Sequence, residues 1–156
     1  MKLKIHFLTL VSLVLITCSQ PTEQPQIKVV TSASPEATQA GMHILNKGGN
    51  AVDAAIAVSF ALGVSEPAMS GIGGGTQIQI YLPGKQPPFA INGSSISPEL
   101  TPTVFNKDNL KEHLRTTIPS TVKVMGYLYD NYASKNVTWA ELINPKGRSA
   151  QELVSR

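Results

Sequence analysis

Few residues of this chain could do chemistry. The densest group is Ser70–Thr76, SGIGGGT. A glycine-rich loop cradles phosphate when it follows a strand and opens a helix, because the helix's first amides then face the anion. Here the glycines follow a helix-prone run and open a strand-prone one, Gln77–Leu82, and no Lys-Ser/Thr pair follows them. They read as backbone packed too closely for side chains, not as a nucleotide site. Asp53 is the one charge in the apolar run Ala51–Val64. It follows Asn50 at the spacing of a capping box, so capping of helix amides is expected of it rather than catalysis. His6, His43 and His113 lack ligand spacing, and exposure is expected for the last two. With Cys18 the single cysteine, neither an internal disulfide nor a Cys/His metal cluster is possible.

Cys18 suggests a different chemistry. Lys2 and Lys4 precede a mostly apolar stretch, Ile5–Ile16. That stretch is shorter than the ~20 residues a membrane-spanning helix needs, and it has the length of a signal peptide's apolar region. Leu15-Ile16-Thr17-Cys18 resembles a bacterial lipobox, although Thr17 replaces the usual smaller residue. The expectation is a lipoprotein signal peptide over residues 1–17, lipidation of Cys18, and a polar, proline-bearing tether over 18–26. Ser19 resembles the outer-membrane sorting pattern, so the expected location is the periplasm, anchored to the outer membrane.

The net charge of +3 includes Lys2 and Lys4, so the remainder is near neutral. Charged residues are 15% of the chain, against roughly 25% in an average globular domain. Neither figure gives a nucleic-acid surface, and no nucleic-acid partner is expected. The 156 residues suffice for one modest domain.

Several elements must position these residues. Ile27–Ser32 is short and β-branched, which predicts a strand. Ser34-Pro35-Glu36 supplies a cap, a first-turn proline and an acid for a helix start. Ala37, Ala40, Gly41, Ile44 and Leu45 form its apolar stripe, and Gly48-Gly49 ends it. A second helix runs from Asn50 to Glu66-Pro67, apolar on nearly every side, which predicts burial between layers. Gln77–Leu82 alternates like a strand, Pro83-Gly84 turns, and Phe89–Asn92 returns as its antiparallel partner. Thr101–Leu114 is weakly amphipathic. Ile118, Val122, Met125, Gly126 and Tyr129 mark a further helical face, and Trp139–Ile143 a short helix ended by Pro145.

The run Gly48–Gly75, GGNAVDAAIAVSFALGVSEPAMSGIGGG, closely resembles the large-subunit signature of the γ-glutamyltransferase (glutathione hydrolase) family. The Gly-Gly-Asn-Ala-x-Asp-Ala-Ala helix, the Glu-Pro and the Ser-Gly-x-Gly-Gly-Gly occur in the family's order without gaps. Ala40-Gly41, Ile44-Leu45, Pro119–Tyr132 and Trp139-Ala140-Glu141-Leu142 extend the likeness over roughly residues 29–145, within a partial domain, 27–145, followed by a divergent tail, 146–156.

The resemblance implies an α+β chain, an incomplete portion of the αββα sandwich of N-terminal-nucleophile hydrolases. It implies hydrolysis or transpeptidation of γ-glutamyl amides, with glutathione the usual donor and no metal or organic cofactor. In the family a threonine at the start of a small subunit attacks the amide, its own amine serving as base. That segment is not in this sequence, so the chain is expected to correspond to the N-terminal part of the large subunit, inactive alone. A frameshift or premature stop near Asn144–Lys146 would explain the change in the tail. The implied partners are the missing small-subunit segment, a peptide-like or γ-glutamyl small molecule, and a membrane through the lipid. On the return strand the family carries Asp-x-Arg-Glu, whose arginine holds the substrate's α-carboxylate. Here Asn92-Gly93-Ser94-Ser95 stands there, with Ser94 at the arginine position and Ser95 at the glutamate position. A hydroxyl cannot replace a guanidinium fork, so a donor other than glutathione is indicated. The competing expectation is a non-catalytic envelope lipoprotein or remnant that binds a peptide-like ligand.

Overall fold

A computed structural model describes residues 27–96, 99 and 117–144. The signal peptide, Cys18, the tether, the stretch Thr101–Leu114 with His113, and the tail from Pro145 lie outside the described residues.

Ser34 caps the first helix, α1 (Pro35–Asn46), its hydroxyl accepting from the Ala37 N–H at 3.2 Å. Its buried residues are Ala37, Ala40, Gly41, Ile44 and Leu45, the stripe expected from spacing. The helix ends where Gly48 adopts φ +91°, a conformation that costs a residue with a Cβ. The Gly49 N–H then reaches the Ile44 carbonyl at 3.0 Å, and the Gly48 N–H the Leu45 carbonyl at 3.2 Å. This six-to-one and five-to-two pairing satisfies carbonyls the helix end would leave open.

The reversal feeds α2 (Ala51–Ser65), and the two helices pack along their length. A hydrogen bond between the Ser34 and Ser65 hydroxyls, 2.8 Å, ties the start of α1 to the end of α2. The capping box forms as expected: the Asn50 side chain accepts from the Val52 and Asp53 N–H groups, and Asp53 Oδ2 accepts from the Asn50 N–H at 2.8 Å. Burial on every side does not follow. Val52, Asp53, Ala54, Ile56 and Ala57 are buried, but Val58–Gly63 are only half-buried and Val64 is exposed. The half-buried part still packs, with Phe60 edge-on to Trp139 at 5.6 Å, so the cover of this helix thins towards its end.

Pro67 starts a four-residue helix, α3 (Pro67–Ser70), and the glycine loop leads from it into β1 (Thr76–Leu82). β1 pairs antiparallel with β2 (Lys85–Gly93) in a two-stranded sheet. Thr76 faces Gly93, Ile78 faces Ile91 and Ile80 faces Phe89, after which the register shifts near Pro87 and Pro88. Proline cannot donate to the ladder, so an irregularity is the place for it. β2 therefore begins directly after Pro83-Gly84, earlier than Phe89. The expected strand at Ile27–Ser32 is not formed. The segment lies against α1, with Val30 beside Gly41 and Lys28 Nζ donating to the Leu45 carbonyl at 2.7 Å, but no strand lies beside it among the described residues.

α4 (Thr121–Tyr132) and α5 (Trp139–Ile143) complete the described chain. α4 buries Thr121, Val124, Met125 and Leu128, a face rotated from the expected one. Met125 is buried as expected and Gly126 and Tyr129 are half-buried, but Ile118 precedes the helix and Val122 is exposed, so the buried stripe is shifted onto Thr121, Val124 and Leu128. α5 occupies the residues expected, capped by a Thr138–Glu141 box. A single core joins these parts: Ile44, Ile56, Ile80, Met125, Leu128, Val137 and Leu142 meet within it. Burying one such side chain stabilises by about 1.5–3 kcal/mol.

Candidate functional site

Ser94 and Ser95 leave the end of β2 beside the glycine loop and the start of α4. This junction is held together by hydroxyl groups and backbone carbonyls. The Gly74 carbonyl accepts from the Ser120 N–H at 3.1 Å and from the Thr121 hydroxyl at 3.1 Å. The Ser120 hydroxyl donates to the Gly93 carbonyl, and the Thr76 and Thr121 hydroxyls bond at 2.7 Å. A Cβ on Gly93 would lie 2.5 Å from Val124 Cγ2 and 2.6 Å from the Thr76 carbonyl. The loop's glycines divide. A Cβ on Gly71 would lie 2.6 Å from the Pro67 carbonyl oxygen and one on Gly75 3.1 Å from the Gly93 carbonyl oxygen, the close packing expected. A Cβ on Gly73 would meet nothing within 4 Å among the described residues, so these residues give no packing reason for that glycine.

Ser94 is exposed and belongs to a polar group on the outer face of the hairpin. Its hydroxyl accepts from Gln77 Nε2 at 2.7 Å, and its N–H donates to Asn92 Oδ1 at 3.0 Å. Gln77 is the cross-strand partner of Asn92 and lies 3.5 Å from its Oδ1. Ser95 is directed elsewhere, its hydroxyl donating to the Ile118 carbonyl at 3.4 Å. The two serines therefore do not share one contact. Gln77 was legible as a residue of the polar face but not as Ser94's partner, because that pairing depends on the hairpin register. Ser120, next to Pro119, gave no signal of its bond to Gly93.

Asp53 is fully buried, well away from this junction. Besides the Asn50 N–H, its Oδ2 accepts from the Ser134 N–H at 3.1 Å, while Asn50 Nδ2 donates to the Tyr132 carbonyl at 2.8 Å. Asp53 thus links the start of α2 to the loop after α4, a structural role that agrees with capping. Its Oδ1 has no partner among the described residues. Glu141 makes the corresponding link for α5. The Lys47 ammonium, then the Thr138 N–H and hydroxyl, lower its carboxyl to about 2. His43 is half-buried in the last turn of α1. Among the described residues no three His, Cys, Asp or Glu side chains gather as metal ligands.

The fold and the junction define a class: a mixed α/β chain in which a helical pair, a glycine loop and a hairpin meet at Gly74, Gly93 and Ser120. A family model described as Gamma-glutamyltranspeptidase matches residues 37–152. The glutathione hydrolase proenzyme of Bacillus subtilis (strain 168) is 33% identical over 134 residues, covering 80% of this chain and 22% of that protein. The capsule biosynthesis protein CapD proenzyme of Bacillus anthracis is 39% identical over 116 residues, covering 74% and 20%. Among solved structures, the γ-glutamyltranspeptidase of Helicobacter pylori superposes with a TM-score of 0.66 at 28% identity, covering 80% of this chain and 38% of that one. The Bacillus anthracis transpeptidase CapD superposes with a TM-score of 0.61 at 34% identity, covering 77% and 37%. The chain belongs to the γ-glutamyltranspeptidase family. It spans about a fifth of the length of the curated relatives it matches.

Proposed function

We propose that this chain is the N-terminal portion of an N-terminal-nucleophile amide hydrolase, exported and anchored in the periplasm as a lipoprotein through Cys18. Its elements would form part of an αββα sandwich whose remaining strands come from further sequence. A threonine there would attack the carbonyl of a γ-glutamyl or related amide, and the acyl group would pass to water or to an amine. The observation that carries this reading is the uninterrupted order of capped helix, Glu66-Pro67, glycine loop and hairpin, together with the family match over residues 37–152. Ser94 and Ser95 stand at the substrate end of that hairpin in the proposed assembly. Their neutrality supports an amide donor other than glutathione.

The test is turnover by the intact protein purified from the cells that make it. Release of p-nitroaniline from a γ-glutamyl or α-amidated γ-glutamyl anilide is expected. No release from either probe, with the protein folded, would leave the non-catalytic lipoprotein as the better reading.

A further inference from the structure

The exposed group Gln77, Asn92 and Ser94 has a definite hydrogen-bonding character. Gln77 Nε2 donates to Ser94 Oγ at 2.7 Å and to Asn92 Oδ1 at 3.5 Å, and Asn92 Oδ1 also accepts from the Ser94 N–H at 3.0 Å, so both Gln77 hydrogens are engaged. These bonds fix which capacity remains. The Gln77 side chain keeps its carbonyl oxygen, an acceptor. Asn92 keeps its NH₂, a donor. Ser94 accepts through its oxygen and so keeps its hydroxyl hydrogen to donate. All three groups are neutral, exposed and on one face of the hairpin.

A carboxylate only accepts, so the Gln77 oxygen would face it without a hydrogen between them. An ammonium only donates, so Asn92 and Ser94 would go unmet. A group that carries both N–H and C=O satisfies the set, and that group is a carboxamide or a peptide bond. We infer that Gln77, Asn92 and Ser94 form an amide-recognising subsite, and that the enzyme's donor arrives with its α-carboxyl in amide linkage rather than free. The inference rests on the reading above that Ser94 stands in the substrate site. Gln77 is its specificity-determining residue, since its amide both orients Ser94 and supplies the acceptor.

The experiment uses the intact protein and two probes, γ-glutamyl-p-nitroanilide and the same compound with its α-carboxylate converted to a carboxamide. Binding is read by saturation-transfer NMR titration, and p-nitroaniline release is read separately. The carboxamide is expected to bind at least about tenfold more tightly, the scale of one well-made neutral hydrogen-bond pair. Gln77→Ala and Ser94→Ala, both at exposed positions, should bring the two affinities together while leaving the thermal melt in place. Equal or tighter binding of the carboxylate, a preference that survives Gln77→Ala, or binding of neither probe would overturn the inference. Preferential binding without release would count against the hydrolase reading and leave the subsite standing. Release without preference would do the opposite.

Discussion

Asp53 and Gly93 support different parts of the molecule by different physics. Asp53 is a buried carboxylate that accepts two backbone N–H groups from separate segments. Asp53→Ala would leave both donors without it, and the cost is expected to be about 1–3 kcal/mol, read as a lower urea midpoint in the intact protein. An unchanged midpoint would show that Asp53 does not hold the α2 start to the loop after α4. At Gly93 the constraint is steric. Gly93→Ala places a methyl against Val124 and the Thr76 carbonyl and is expected to cost about 1–3 kcal/mol, read the same way. The Asp53 role was legible because the capping box is local, set by the spacing of Asn50 and Asp53. The Gly93 constraint was not legible, because the atoms it would strike come from β1 and α4.

At the scale of elements, α1, α2 and α5 could be read from caps and stripes, since those signals are local. The strand at Ile27–Ser32 could not, because a strand needs a neighbour and the sequence does not state who supplies it. α4 was legible as a helix with Met125 on its buried face, but the rest of that face was misplaced because Ile118 lies outside the helix and Val122 is exposed. α5 also provides a pH test. The Glu141 carboxyl is held at about 2, below its ordinary 4.5, by Lys47 first and then by Thr138. A lowered carboxyl stabilises the fold fully above the ordinary value and loses that contribution as pH falls from 4.5 towards 2. Trp139 reports on the same element, packed edge-on against Phe60 at 5.6 Å and Tyr129 at 5.4 Å. Its fluorescence is expected to change over that acid window. Lys47→Ala should shift the change towards higher pH, whereas an unshifted curve would remove the ion pair from the account.

For the molecule as a whole, burial is incomplete in a specific region. Val64, Met69 and Ile72 are exposed near the end of α2, and neither outer edge of the hairpin is paired among the described residues. Bare apolar side chains and open strand edges invite association. Residues 19–156 produced alone are therefore expected to aggregate, seen as high-mass species in light scattering. A monodisperse monomer with a cooperative melt would contradict this. The proposed lipidation makes a separate prediction: cells fed a labelled fatty acid should incorporate the label into this protein, and Cys18→Ala should abolish it. Label that persists in the variant, or no label in the parent, would argue against lipidation at Cys18. The central claim is that the chain works as one portion of a larger hydrolase. The most direct measurement is the gene sequence beyond the codon for Arg156, translated in all three frames. The account predicts that one frame resumes the family pattern and reaches the threonine that opens the small subunit. If no frame does so, the claim is contradicted.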